Sequence, residues 1–300
     1  MNWFLVALAT PVLHAIANHI DKHLISKYFQ GGAVGTLVLF TSIFALLAMP
    51  VIYLLNPLVA HFDSQTSLII LNGFLSLAYV IFYLYALFDD EASFVAPFFQ
   101  LVPVFGFILG YFILGETLLT HQVVASLLII FGAMILAFDI GNKFRLKKKL
   151  LVLMLSSSLL YAASGVIFKL FSGETDFSTT LFWNMAGQVL LGLILFILVR
   201  SYRTQFIAVI RENTLSILGL NLLNGLIILA GDIFLFYALL LAPVALVLSV
   251  SGVQPLFVFI FGILLTRFLP SFGAESMEKK VLTQKIIGIL VIVLGGILIN

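Results

Sequence analysis

The sequence predicts an all-α integral membrane protein of ten transmembrane helices, built as two inverted five-helix repeats around a central cavity. Composition, segment length and an internal duplication predict it. Of the 300 residues, 62% are hydrophobic and 9% charged, and the mean hydropathy is +1.22. That leaves far too little polar surface to cover a soluble globule. A helix needs about 20 apolar residues to cross the hydrocarbon core. Ten such runs follow one another, at 3–27, 34–55, 67–88, 92–114, 120–139, 150–171, 178–199, 214–240, 243–266 and 281–299.

The duplication shows when Leu71 to Gly110 is laid on Leu223 to Gly262 without a gap. Sixteen of forty positions are then identical. Leu71-Asn72-Gly73 meets Leu223-Asn224-Gly225, Tyr85-Ala86-Leu87 meets Tyr237-Ala238-Leu239, and Pro103, Phe105 and Gly110 meet Pro255, Phe257 and Gly262. One unit has therefore been doubled, with repeats at 1–144 and 145–300. Five helices per unit is an odd number, so the second copy enters the membrane from the opposite side. An inverted repeat can exchange conformations between its halves, a route to alternating access.

Each element has a local reason to begin and end. The first run has Asn2 and Trp3 but no basic residue before it and no small-residue cleavage signal, so it reads as a retained helix rather than a signal peptide. Asn56-Pro57, Asp89-Asp90-Glu91, Gly115-Glu116-Thr117, Lys143 to Lys149, Gly173-Glu174 and Pro270 to Lys280 interrupt the apolar runs with turn formers or charges. Glu116 is expected either to cap the fifth helix, with Thr117 or Thr120, at its positive N-terminal end or to serve in ion coupling. Residues 200–213 mix Phe206, Ile207, Val209 and Ile210 with arginines, the pattern of a short interfacial helix.

The fifteen Lys and Arg residues are distributed unevenly. Fourteen fall on the side reached after odd-numbered helices, and Lys169 alone on the other. The positive-inside rule then puts the basic loops in the cytoplasm and both termini outside. A net charge of +2 without a basic face argues against nucleic acid, and the absence of cysteine leaves neither a disulfide framework nor a thiolate metal site.

Candidate functional residues are the polar ones inside these runs. Asp232 lies inside the eighth run, where an ionised carboxylate costs roughly 2.5–3.5 kcal/mol or more. It is either a coupling or recognition group or a protonated packing residue. His14 shares a helical stripe with Thr10, Asn18 and Asp21 and aligns with Tyr161 in the second repeat. It either relays a proton or packs. Tyr79 and Tyr83 point to the cavity. Asn72 and Asn224, each followed by glycine, either line it or bond across helices. Gln100, Ser251 and Gln254 lie near Pro103 and Pro255, prolines expected to kink the fourth and ninth helices. Asp89, Asp90 and Glu91 read as a solvated start signal, since three consecutive acids converge poorly on one ion. No catalytic residue, metal site or cofactor is expected, and no phosphate-cradling glycine loop occurs.

Tyr85-Ala86-Leu87, Ser93, Val95, Pro97, Pro103, Gly110, Leu114-Gly115-Glu116, Gln122 and Gly132 together resemble the drug/metabolite transporter superfamily, in its ten-helix EamA-like branch. Tyr237-Ala238-Leu239, Ala245, Val247, Pro255, Gly262, Gln284, Gly288 and Gly295 repeat the resemblance in the second copy. It implies a cavity between helices 1, 3 and 4 of one half and 6, 8 and 9 of the other, with helices 5 and 10 peripheral. It also implies export of amino acids, other metabolites or drugs, often driven by ion gradients, and cytoplasmic termini, opposite to the charge rule. Gly115-Glu116 departs from the doubling, because its equivalents are Arg267-Phe268.

The expected protein is thus a secondary transporter and exporter, multi-pass in the cell (inner) membrane. Its expected partners are a small-molecule solute, the bilayer and a coupling proton or cation, and it is a monomer or homodimer. A membrane-embedded enzyme acting on a lipid-linked substrate and a passive channel are the competing readings.

Overall fold

The computed structural model describes residues 2–27, 33–89, 96–137, 148–212, 215–268 and 279–298, and every regular element among them is helical. The helices are α1 (Trp3–Lys27), α2 (Ala33–Leu55), α3 (Thr66–Asp89), α4 (Val102–Leu109), α5 (Thr120–Ala137), α6 (Lys148–Glu174), α7 (Phe177–Leu198), α8 (Arg200–Glu212), α9 (Leu215–Leu241), α10 (Val244–Ser251), α11 (Gln254–Phe268) and α12 (Lys279–Leu298). Side chains fix several starts. Asp63 Oδ1 accepts the Gln65 and Thr66 N–H groups at 2.9 Å ahead of α3. Asp176 Oδ1 accepts the Ser178 and Thr179 N–H groups at 2.8 and 3.1 Å ahead of α7. Each bond satisfies a donor that a helix end leaves free.

Seven stretches among the described residues are long and apolar enough to cross a membrane: Trp3–Asp21, Val34–Leu55, Thr66–Ala86, Lys148–Glu174, Phe177–Leu198, Ile217–Leu241 and Val244–Leu265. The other three expected spans are shorter apolar helices, Phe98–Leu114, Thr120–Ile135 and Thr283–Leu298. At about 1.5 Å per residue such pieces cover roughly 25 Å, less than the core of about 30 Å. Leu54, Phe112, Leu198 and Ile297 stand exposed on the outside, as lipid-facing side chains do. The chain is a multi-pass membrane protein.

Without water to drive apolar faces together, helices in lipid associate through close packing of small residues. The most extensive contacts pair α5 with α12, α1 with α9, α3 with both α6 and α7, and α2 with α7. A Cβ on Gly132 would lie 2.8 Å from the Gly288 carbonyl, and one on Gly295 2.9 Å from the Ala125 carbonyl, so these glycines set the α5–α12 distance. Gly73 and Gly187 do the same for α3 and α7. Phe168 stacks on Phe236 at 4.0 Å and ties α6 to α9.

Two expectations change. The fourth run is not one kinked helix but a 3₁₀ turn, Ala96–Leu101, then α4, then a wide π turn, Gly110–Leu114. The ninth is two helices, α10 and α11, parted at Gly252 and Val253. Pro103 stands in the first turn of α4, and the backbone of Pro255 in the first turn of α11. In a first turn a missing N–H costs nothing. These prolines therefore start helical pieces rather than kink continuous ones. The side chains of Pro97 and Pro255, and residues Asp90, Glu91, Ser93, Val95 and 138–147, lie outside those described.

Candidate functional site

The seam between α1 and α9 gathers several polar groups of the membrane-spanning stretches. Thr10 donates its hydroxyl to the Gly231 carbonyl at 3.0 Å, His14 Nε2 lies 3.2 Å from Asp232 Oδ1, and Asn224 donates to Asp21 Oδ1 at 2.6 Å. Numbers rise along α1 as they fall along α9, so the two helices run antiparallel. Gly231 makes the approach possible, because a Cβ there would stand 2.6 Å from the His14 ring. His14 and Asp232 keep 17% and 33% of their side-chain surface accessible. They form a close charge-bearing pair that still meets open space.

The facing wall comes from α3 and α6. The Tyr79 and Tyr161 rings meet edge to face with centroids 4.7 Å apart, and Ser157 donates its hydroxyl to the Tyr79 carbonyl at 3.0 Å. Tyr83 meets Phe99 at 5.0 Å. Tyr79 and Tyr161 lie within electrostatic range of Asp232, and Tyr83 within that of Asp21. All three rings are only half buried. Partly accessible side chains of α1, α3, α6 and α9 thus lie near one another at this level. Surface clefts lie elsewhere, one of about 610 Å³ beside Leu119, His121 and Leu298 and one of about 550 Å³ around His61, Asp63, Glu174 and Asp176.

The remaining candidates fall in different places. Asn72 is buried in a packing network, donating to Asn184 Oδ1 at 3.1 Å and to the Ser164 carbonyl at 3.3 Å, with Ser76 and Ser164 hydroxyls 2.6 Å apart. Such a network bonds across helices rather than facing a solute. Gln100 is buried and donates to the Gly252 carbonyl at 3.3 Å, joining the 3₁₀ turn before α4 to the α10–α11 break. Ser251 bonds back to the Val247 carbonyl at 3.2 Å within its own helix. Gln254 begins α11, half buried, and Asn18 is exposed.

Sequence reasoning missed one cluster. Among the described residues Gly115 alone turns left-handed, with φ 67°, and it directs the chain so that the Glu116 N–H reaches the Gly110 carbonyl at 3.1 Å. The Glu116 carboxylate then lies against Gly110, where a Cβ would stand 2.9 Å from its Oε2. Glu116 Oε1 pairs with Lys169 Nζ at 2.6 Å, and its Oε2 accepts the Val244 N–H at 2.7 Å. Lys169 also donates to the Ala242 carbonyl at 2.6 Å. Glu116 thus caps α10 in the second half of the chain, not α5 beside it. The signal that was available was Lys169, the lone base on its face of the membrane.

Residues 1–138 match the family model of the EamA-like transporter family. No curated protein matches the chain. A solved structure described only as "Crystal structure of protein" superimposes with a TM-score of 0.66 at 16% identity, covering 99% of this chain and 94% of that one. At that identity the likeness shows the fold alone.

Proposed function

From the match of residues 1–138 to the EamA-like transporter family, within the drug/metabolite transporter superfamily, we propose that the chain is a secondary transporter exporting a small polar or amphipathic solute through a space between α1, α3, α6 and α9. The observation that carries this is the His14–Asp232 pair, two ionisable groups held at membrane depth with accessible surface remaining. Ionisable residues in membrane spans mark substrate or proton pathways by default, since their burial is costly. Asp232 and His14 bind the solute's charge or exchange a proton, and Tyr79, Tyr83 and Tyr161 orient its apolar part.

The packing supports two inverted repeats, 1–144 and 145–300, that alternate. The contact of α1 with α9 has a counterpart in that of α6 with α3, and the contact of α1 with α10 and α11 in that of α6 with α4. Each half therefore lends its first helix to the other half's third and fourth. Tilting one pair against the other moves the opening from one face to the other. On this reading Asn72 and Gln100 hold helices together, and the breaks before Pro103 and Pro255 are where backbones flex.

The test is uptake in proteoliposomes under an imposed proton gradient. Asp232→Asn, which preserves shape and removes the charge, is expected to reduce uptake about tenfold or more and to flatten its pH dependence. Wild-type uptake and pH profile in that variant would remove the proposed role. Saturable counterflow is expected, and a linear, unsaturable flux would indicate a pore.

A further inference from the structure

We propose that α8 is a recognition surface for anionic phospholipid headgroups, whose phosphates seat on Arg200, Arg203 and Arg211 and hold the helix against the ends of α1, α2 and α3. The duplicated bundle does not require this element. In the first repeat the stretch between α2 and α3 is only a 3₁₀ turn, Pro57–Ala60, followed by His61 and Asp63 and holding no Lys or Arg. The second repeat puts a helix of 13 residues with three arginines at the corresponding place.

The connections of α8 keep it at the bilayer surface. Val199 alone separates it from α7, which spans to Leu198, and the next span begins at Ile217. A helix tied so closely to two spans stays where lipid meets water. One face is committed to the protein: Tyr202 and Val209 are buried, Tyr202 donates its hydroxyl to the Tyr85 hydroxyl at 3.0 Å, and Phe206 meets Phe40 edge to face at 5.1 Å. Val209 packs with Ile20 and Leu24 of α1. A Cβ on Gly35 would stand 2.7 Å from the Tyr202 ring, so α8 lies directly on the start of α2.

The rest of the helix is sorted by solvent. At about 100° of turn per residue, Ser201 and Glu212 fall on one flank of the docked face, and Ile207 and Ile210 on the other. The first flank suits water and the second the acyl boundary, the division that an interfacial helix makes. Arg203 lies on the apolar flank, and Arg200 and Arg211 where that flank turns toward water, opposite the docked face. Arg200 and Arg211 are exposed, Arg203 is half buried, and none of the three forms an ion pair among the described residues. Arg203 gives one donor to the Ile197 carbonyl at 3.4 Å and keeps the rest of its fork. A guanidinium at headgroup depth without a carboxylate is matched by phosphate, whose oxygens its planar fork takes in pairs. A zwitterionic headgroup brings its own cation to the same place, so a headgroup of net negative charge is preferred. A soluble anion offers the phosphate but no acyl chain to lie beside Ile207 and Ile210.

The experiment adds phosphatidylglycerol, phosphatidylcholine or glycerol phosphate to the purified full chain in detergent, reading bound lipid by native mass spectrometry and stability by apparent Tm. Each basic residue near a bilayer surface is worth about a fivefold change in binding to anionic headgroups. Phosphatidylglycerol is therefore expected to bind at least about tenfold tighter than phosphatidylcholine, to raise Tm, and to lose both advantages at high salt. Arg200→Gln, Arg203→Gln and Arg211→Gln combined are expected to abolish the preference while Tm in phosphatidylcholine stays near that of the wild type. Arg211→Gln alone, at an exposed position, is expected to lower the preference about fivefold. Lys147→Gln, Lys148→Gln and Lys149→Gln combined make the same change in charge elsewhere in the basic loops, and the preference is expected to survive them. Equal binding of the two lipids by the wild type overturns the proposal, as does a preference that survives the arginine variants or falls equally in the lysine variant. A Tm gain reproduced by glycerol phosphate assigns the arginines to a soluble anion and overturns the lipid surface.

Discussion

Gly231 determines how near His14 comes to Asp232, because its missing Cβ is what lets the imidazole lie against α9. Gly231→Ala is expected to lower stability by about 1–3 kcal/mol through overpacking. It should also separate the pair, so that thermal unfolding in detergent and uptake fall together. Asn72→Ala is a contrasting case. It empties a buried network with Asn184 and Ser164, so apparent Tm should drop while the pH dependence of uptake in the surviving protein stays as in the wild type. A polar residue inside an apolar run was legible in the sequence. Whether it faces a solute or a neighbouring helix was not, because that depends on partners such as Asn184, distant in the chain.

Among the elements, the turn between α9 and α10 is tied to side chains from both halves of the chain. Lys169 holds the Ala242 carbonyl just past α9 and Glu116 the first α10 N–H, while the two are paired at 2.6 Å. Their side chains are only 21% and 14% accessible, so removing one partner strands a nearly buried charge. Lys169→Met is expected to cost about 3–5 kcal/mol. Joint replacement of Glu116 and Lys169 by leucine should cost less than the single change, and apparent Tm across this double-mutant cycle measures the difference. The apolar runs and their boundaries were readable, since hydrocarbon length and turn formers mark them directly. The split of the ninth run into α10 and α11 was not, and neither was the capping of α10 by Glu116. Both depend on the approach of the α4 region, where Gly106 admits Leu248 and Gln100 reaches Gly252.

For the whole molecule, the charge distribution sets a testable orientation. The charge rule places α8, with Arg200, Arg203 and Arg211, in the cytoplasm and the turn at Asn56 outside. The chain has no cysteine, so Asn56→Cys and Arg203→Cys can be labelled one at a time. A membrane-impermeant maleimide added to whole cells is expected to label Asn56→Cys and not Arg203→Cys, and the reverse pattern would put the termini inside. The duplication was legible because Leu-Asn-Gly and Tyr-Ala-Leu recur in register. The crossing of the halves, α1 on α9 and α3 on α6, was not legible, since identity along the chain says nothing about which copies touch.

The Glu116–Lys169 tie has no twin, because the position equivalent to Glu116 is Phe268. If the halves exchange shapes as proposed, an unmatched fastening makes the two end states unequal in energy. On that proposal the empty protein rests with that mouth fastened, and turnover in the two directions across the bilayer proceeds from different resting populations.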